Sequence, residues 1–233
     1  MAVEKQQRTF QDIQAEYDQL FRDEPIRDDD RGYRWHAQQV LKQRKHYDHI
    51  LDLACGGGFF LKQLAQMAGE RIGRISGSDL SGEALELARR EYPQAKLMLA
   101  AAESLPVADN TYDAIICLGS LEHFLDVGSA VAEMKRVTKR DGLFFILVPN
   151  LFWYKDLLAV LFKGTRLTRN QTHERFAAMG EWQELFASLG LRVVKTVKYN
   201  GVAKNSWKQC LKDLIIPLRF SYHFMFICQP AEV

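Results

Sequence analysis

The sequence is short of almost everything that would mark a specialised partner or compartment. It lacks an excess of charge of either sign: Lys and Arg number 31 against 29 Asp and Glu, for a net charge of +2. Proteins that wrap nucleic acid take most of their affinity from phosphate contacts and show a basic surplus. Nucleic acid is therefore not an expected partner. Cysteine is scarce and scattered. Cys55, Cys117, Cys210 and Cys228 form no CxxC pair and no metal-ligand spacing, so neither a disulfide framework nor a bound metal is expected. Cysteines within apolar runs suit a reducing compartment. The longest apolar runs, around Leu143–Val148 and Leu157–Phe162, are too short to span a bilayer. Residues 1–10 are polar, without the apolar stretch of a signal peptide. The expectation is a cytoplasmic protein without stable membrane insertion. No repeat or low-complexity segment is visible, and nothing in the pattern bears on oligomeric state.

What is present is a core. With 233 residues and 47% hydrophobic content, the chain has enough apolar surface for one well-buried domain over 1–233. Phe10, Ile13, Tyr17, Leu20 and Phe21 recur at helical spacing, and a second helical pattern ends near Lys45, which makes 1–45 an N-terminal helical cap. From there strands and helices alternate. Strands are predicted over Ile50–Ala54, Ile72–Asp79, Lys96–Ala100, Tyr112–Leu118 and Leu143–Val148, the last introduced by a turn at Asp141-Gly142. Helices are predicted over Phe59–Met67, from the N-cap Ser81 to Glu91, and over Val127–Thr138. Alternation of this kind implies an α/β fold with a mostly parallel sheet covered on both faces.

The segment 46–150 thus forms the core, and 151–233 differs. There, Trp182, Leu185, Phe186 and Leu189 predict a helix stopped by Gly190. Leu191–Tyr199 and Tyr222–Cys228 read as strands, bringing the sheet to seven. Trp207, Cys210, Leu211, Leu214 and Ile215 form an amphipathic stripe ended by Pro217. Leu151–His173 and Val202–Pro217 fit no βα repeat and are candidates for a cap over a site.

The chemically informative stretch is Asp52-Leu53-Ala54-Cys55-Gly56-Gly57-Gly58, where a strand ends and glycines lead into a helix. Such a corner lets a ligand approach the backbone and aims helix N–H groups at it. Taken alone, it is also what a plain tight turn looks like. Asp79 ends the next strand, 23 residues after Gly56, where a carboxylate can accept from ribose hydroxyls. A dinucleotide fingerprint would place a third glycine at position 61, which is Leu61. The ligand suggested is a nucleoside without a diphosphate, which disfavours a nicotinamide-dependent oxidoreductase.

These residues resemble the first motif of the class I S-adenosylmethionine-dependent methyltransferases, and Ser78-Asp79-Leu80-Ser81 resembles the second. Ala102-Glu103-Ser104-Leu105-Pro106 with Asn110-Thr111-Tyr112-Asp113, then Arg136-Val137 and Asp141-Gly142-Leu143, are similar to later motifs of the small-molecule (type 11-like) branch. The resemblance implies a Rossmann-like, doubly wound sheet and S-adenosyl-L-methionine as cofactor. It places the backbone of Ala54 and Gly56 at the methionine moiety, within a motif that includes Asp52, Cys55 and Gly58. It sets Asp79 at the ribose, Leu80 and Ala102 at the adenine with Glu103 nearby, and carbonyls near Cys117 and Leu118 at the ammonium. Ala54 stands where the family usually has glycine. Ala101 stands where many relatives have an Asp, so that contact must be absent or come from Glu103 or another group.

Transfer of an activated methyl needs orientation and exclusion of water, and a hydroxyl acceptor also needs a base. The segment after the fourth strand carries His123, and the link after the cap carries His173; either imidazole suits proton abstraction near neutrality. The expected activity is O-methylation of a small organic acceptor, apolar or aromatic, with His123 as base. Two other readings stay open: methylation on nitrogen or carbon of a lipid-like or aromatic acceptor, and a non-catalytic subunit that only binds the cofactor. The apolar cap with Lys163, Arg166 and Arg169 reads as a buried helix, as an acceptor pocket, or as a surface for transient membrane contact.

Overall fold

The computed structural model describes residues 9–23, 30–165, 167, 175–201 and 206–231. Two helices, α1 (Phe10–Asp23) and α2 (Asp30–Leu41), precede β1 (Tyr47–Leu53). The repeat continues through α3 (Phe59–Ala68), β2 (Ile72–Asp79), α4 (Gly82–Glu91), β3 (Lys96–Leu99), β4 (Tyr112–Leu118), α5 (Val127–Val137) and β5 (Thr138–Pro149). The chain then forms α6 (Tyr154–Lys163), α7 (Met179–Ser188), β6 (Leu191–Tyr199), α8 (Ser206–Ile215) and β7 (His223–Pro230). The seven strands lie in the order β3-β2-β1-β4-β5-β7-β6, and only β7 runs against its neighbours.

Alternation along the central strands builds two cores. Phe144, Ile146 and Val148 of β5 with Phe224 and Phe226 of β7 face α5 and α7, packing on Met134, Trp182 and Phe186. Phe145 and Leu147 with Met225 and Ile227 face the other way, onto Val40 of α2 and Leu64 of α3. Each buried aromatic or branched side chain contributes roughly 1.5–3 kcal/mol by leaving water, so the double-sided middle strands hold the sheet together. Trp182 also donates its indole N–H to the Pro149 carbonyl at 3.0 Å, satisfying the one polar atom it buries.

The predicted elements appear within a few residues of their expected bounds, with one physical difference. Asp141-Gly142 does not turn the chain between a helix and a strand. Residues 139–142 bulge within β5, because Thr138 pairs with Tyr112 while Leu143 pairs with Ala114. At the outer edges β3 has only four residues, and β6 carries a bulge between Val193 and Lys195 that leaves Val194 half exposed.

Helices α6 and α8 also follow strand ends at the carboxyl edge of the sheet. Helix α6 leaves the end of β5 and is capped by Gly164 in the left-handed region. Helix α8 lies between the end of β6 and the start of β7, which pair at Tyr199 and His223. Lys198 donates to the carbonyls of Asp213 and, at 3.0 Å, Ile216, and the Asn200 amide donates to the Asp213 carboxylate at 3.1 Å. On the α2 side of the same region, His36 packs against Tyr199 at 4.7 Å and Tyr199 against His223 at 6.3 Å. The buried Nδ1 atoms of both histidines have no hydrogen-bond partner among the described residues. Burial, helped by His223, pushes the His36 imidazole down to about 3, and burial pushes His223 to about 4.

Candidate active site

Chain reversal after β1 depends on three residues with positive φ: Ala54 at 59°, Gly56 at 50° and Gly58 at 77°. Gly58 is obligatory on two counts. Its backbone is left-handed, and a Cβ there would lie 2.8 Å from the Cα of Ala88, so α3 and α4 cross in contact. The loop is cross-braced to β2: the Cys55 amide donates to the Ser78 carbonyl at 2.9 Å, and the Gly56 amide to Asp79 Oδ2 at 2.8 Å. The other oxygen of Asp79 accepts from the Ser81 amide at 2.9 Å. Ser81 then caps α4 by accepting from the Ala84 amide at 3.1 Å.

These residues open into a cavity of about 350 Å³. Ala54, Gly56, Asp79 and Leu80 form its floor, Ala101, Ala102 and Glu103 one flank, and Ser120, His123 and Phe124 another. The roof is α1, through Phe10, Ile13, Tyr17 and Phe21. Seven residues expected at the site from sequence therefore meet in one wall: Ala54, Gly56, Asp79, Leu80, Ala102, Glu103 and His123. Asp52, Cys55, Gly58 and Leu118 lie outside the wall. His173 falls outside the described residues.

The second row has a clear electrostatic character. Burial, with the nearby Asp79 carboxylate, holds the Asp52 carboxyl well above the usual carboxylate range. Burial also raises the Cys55 thiol well above its ordinary value, with Asp52 and Asp79 adding to the effect, so Cys55 has no thiolate character. Asp79 itself is raised by burial, against the amides of Ser81, Gly56 and Leu80 that favour its charge. A ligand that donates to this carboxylate would favour the charged form further. Glu103 is raised by burial as well and accepts from the Asp126 amide at 3.3 Å. Burial lowers His123, which leaves its ring neutral at ordinary pH and able to accept a proton.

The flank is built by a residue two elements away. Arg136 of α5 donates to the carbonyls of Leu105 at 3.1 Å and Val107 at 2.8 Å while pairing with Asp109 and Glu133. Glu133 in turn accepts from the Leu105 amide at 2.7 Å. The α1 roof is the part that sequence reasoning did not assign to the site. Its apolar stripe was readable, but which surface the stripe covers depends on residues such as Gly56 and Asp79, more than 30 positions away.

Residues 51–146 match the family described as "Methyltransferase domain". An uncharacterized methyltransferase, YcgJ, of Bacillus subtilis is 29% identical over 160 residues, covering 68% of this chain and 63% of that protein. The ubiquinone/menaquinone biosynthesis C-methyltransferase UbiE of Francisella tularensis is 31% identical over 211 residues, covering 82% of this chain and 80% of the relative. The chain belongs to the S-adenosylmethionine-dependent methyltransferases. The chain spans about half the length of two other relatives, demethylmenaquinone methyltransferases from Chlorobaculum species, 48% and 56%. The methyltransferase fold also matches 1,6-didemethyltoxoflavin-N1-methyltransferase of Burkholderia thailandensis, at a TM-score of 0.65 and 17% identity, over 94% of this chain and 88% of that one.

The cavity fits the methyltransferase cofactor by its own chemistry. Asp79 offers acceptor oxygens for vicinal hydroxyls, Leu80 and Ala102 offer apolar faces for a flat heterocycle, and Gly56 presents bare backbone. Among the described residues, no helix is long and apolar enough to cross a membrane.

Proposed function

We propose that this methyltransferase transfers the methyl group to the oxygen of a small aromatic or otherwise apolar acceptor, with His123 as general base. S-adenosylmethionine, when bound, supplies a methyl group on a positively charged sulfur, already activated for displacement. The chain's task is then to orient, to exclude water and to move one proton. In this reading Asp79 and the Gly56 backbone hold the nucleoside and methionine ends, and Ala102 with Glu103 sits along the base. The α1 roof of Phe10, Ile13, Tyr17 and Phe21 shields the reacting atoms from water. As the acceptor oxygen takes the methyl group, the carbon–sulfur bond would break with its electron pair returning to sulfur, and the neutral His123 ring would accept the proton released from the O–H bond.

One observation carries the reading: His123, kept neutral by burial, shares a cavity wall with Asp79 and Gly56. A second reading rests on the C-methyltransferase named among the relatives. Removing a phenolic proton also activates the ring carbons beside it, so the same base serves carbon methylation.

The test is turnover of hydroxylated aromatic acceptors by wild type and His123→Ala, with the product's methyl position read by nuclear magnetic resonance. Rate should drop about a hundred-fold or more in the variant, chiefly in kcat, with cofactor affinity kept. Equal rates across a pH series would remove His123 from the chemistry. Tight cofactor binding without turnover of any acceptor would favour a non-catalytic binding subunit.

A further inference from the structure

Helix α8 is turned inside out for a helix on a globular body. Its polar residue Asp213 faces the protein, held by Asn200, while Lys198 holds its last carbonyls. Its apolar stripe faces water: Leu211 is 47% exposed, Leu214 82% and Ile215 65%. Helix α6 repeats the pattern. Asp156 and Ala159 are buried, and the Asp156 carboxylate accepts from the Leu167 amide at 2.9 Å. Leu161 and Phe162 are 74% and 78% exposed. Water-facing stripes of this size cost free energy unless something covers them.

Charge indicates what does. Around α6 the sequence places Lys155, Lys163, Arg166 and Arg169, against Asp156 alone. Around α8 it places Lys204, Lys208, Lys212 and Arg219, against Asp213 alone. Both acids are engaged on the protein side, while Lys155, Lys163 and Arg219 are exposed, so the two segments carry a basic surplus. The whole chain is nearly neutral, which makes this local surplus a property of these two segments. Exposed apolar stripes flanked by Lys and Arg are the signature of a helix lying in the headgroup region of an anionic membrane.

We propose that α6 and α8 together dock the protein onto the surface of an anionic lipid bilayer. Both helices follow strand ends at the carboxyl edge of the sheet, where the cofactor loop also lies. Docking by this face holds the active-site end toward the lipid and leaves the body in water. The proposal is independent of the acceptor's identity and of His123.

The experiment is flotation of the full chain through a density gradient with vesicles of equal parts phosphatidylglycerol and phosphatidylcholine, and with phosphatidylcholine alone. The protein should partition onto the anionic vesicles, and less so at raised salt. Leu214→Glu with Ile215→Glu, and separately Leu161→Glu with Phe162→Glu, should each cut partition by about ten-fold or more. Lys155→Gln with Lys163→Gln should reduce the preference for anionic over neutral vesicles. Val194→Glu, an exposed apolar position on the edge strand, should change nothing. Unchanged thermal midpoints show that each variant remains folded, as expected at exposed positions. Failure of wild type to float with anionic vesicles at low salt overturns the proposal, as does flotation that both glutamate pairs leave intact. A dimer in light scattering, dissolved by the same pairs in a protein that does not float, also overturns it and assigns the face to a second copy.

Discussion

The hydroxyl of Ser81 donates to Asp18 Oδ1 at 2.5 Å, fastening the roof helix to the capping residue of α4. Ser81 is fully buried, and its neighbour Asp79 is in the cavity floor. One serine therefore caps a helix, supports the carboxylate and anchors the roof. Asp18→Ala should loosen α1 without unfolding the sheet. Expected results are faster amide exchange over 10–23 and cofactor affinity reduced by about ten-fold, the size of one charge-assisted hydrogen bond. The Arg22–Glu83 pair joins the same two helices at 2.9 Å, with both side chains nearly half exposed. Glu83→Gln should therefore have far less effect. Equal effects of the two changes would mean that Asp18 is not the anchor.

The cofactor loop invites a matched pair of substitutions of opposite sign. Gly58→Ala puts a side chain into a left-handed backbone and 2.8 Å from the Cα of Ala88. It should cost about 3 kcal/mol or more in denaturant unfolding. Ala54→Gly does the reverse. Ala54 already sits at a φ of 59°, and its relief should stabilise by about 1 kcal/mol even after the added unfolded-state entropy. Destabilisation by Ala54→Gly would show that the alanine methyl makes a contact worth more than the strain.

Acid should weaken the protein through His36 and His223. Both have folded values well below the ordinary 6.5, at about 3 and about 4. As pH falls from 6.5 toward 4, the unfolded chain takes up protons that the folded one refuses. Stability present above 6.5 is thus lost on acidification, by about 4 kcal/mol between pH 7 and 5. His36→Phe should flatten that slope, measured as unfolding free energy against pH. A slope that His36→Phe leaves unchanged would place the acid sensitivity elsewhere.

Arg136 should matter to binding although it is not in the cavity wall. Arg136→Lys keeps the charge but loses the planar fork that reaches the Leu105 and Val107 carbonyls together with Glu133 and Asp109. The thermal midpoint and cofactor affinity should both fall. An altered midpoint with untouched affinity would separate this brace from the cavity flank at 101–103.

Local chemistry was the most legible part of the site. Ser81 as N-cap, the β2 end at Asp79 and the glycine turn each depend on residues a few positions apart, and the structure has them as expected. What depended on distant pairing was harder. Asp141-Gly142 has the composition of a turn, yet the Tyr112–Thr138 pairing draws it into a strand as a bulge. The stripe of α1 gave its helix but not the cavity beneath it. The stripe of α8 gave amphipathicity but not orientation, since Lys198 and Asn200, which turn its polar side inward, come from another element.

The bulge in β6 bears on how copies of this protein can meet. Edge strands invite strand addition from a neighbouring molecule, because their outer amides and carbonyls are unpaired. Here Arg192 and Lys195 are exposed on that edge strand, and the displaced Val194 breaks its hydrogen-bonding rhythm midway. At the other end β3 offers only four residues of template. Both edges of the sheet are therefore poor templates for strand addition, which leaves the helix faces, among the described residues, better suited to any contact between copies.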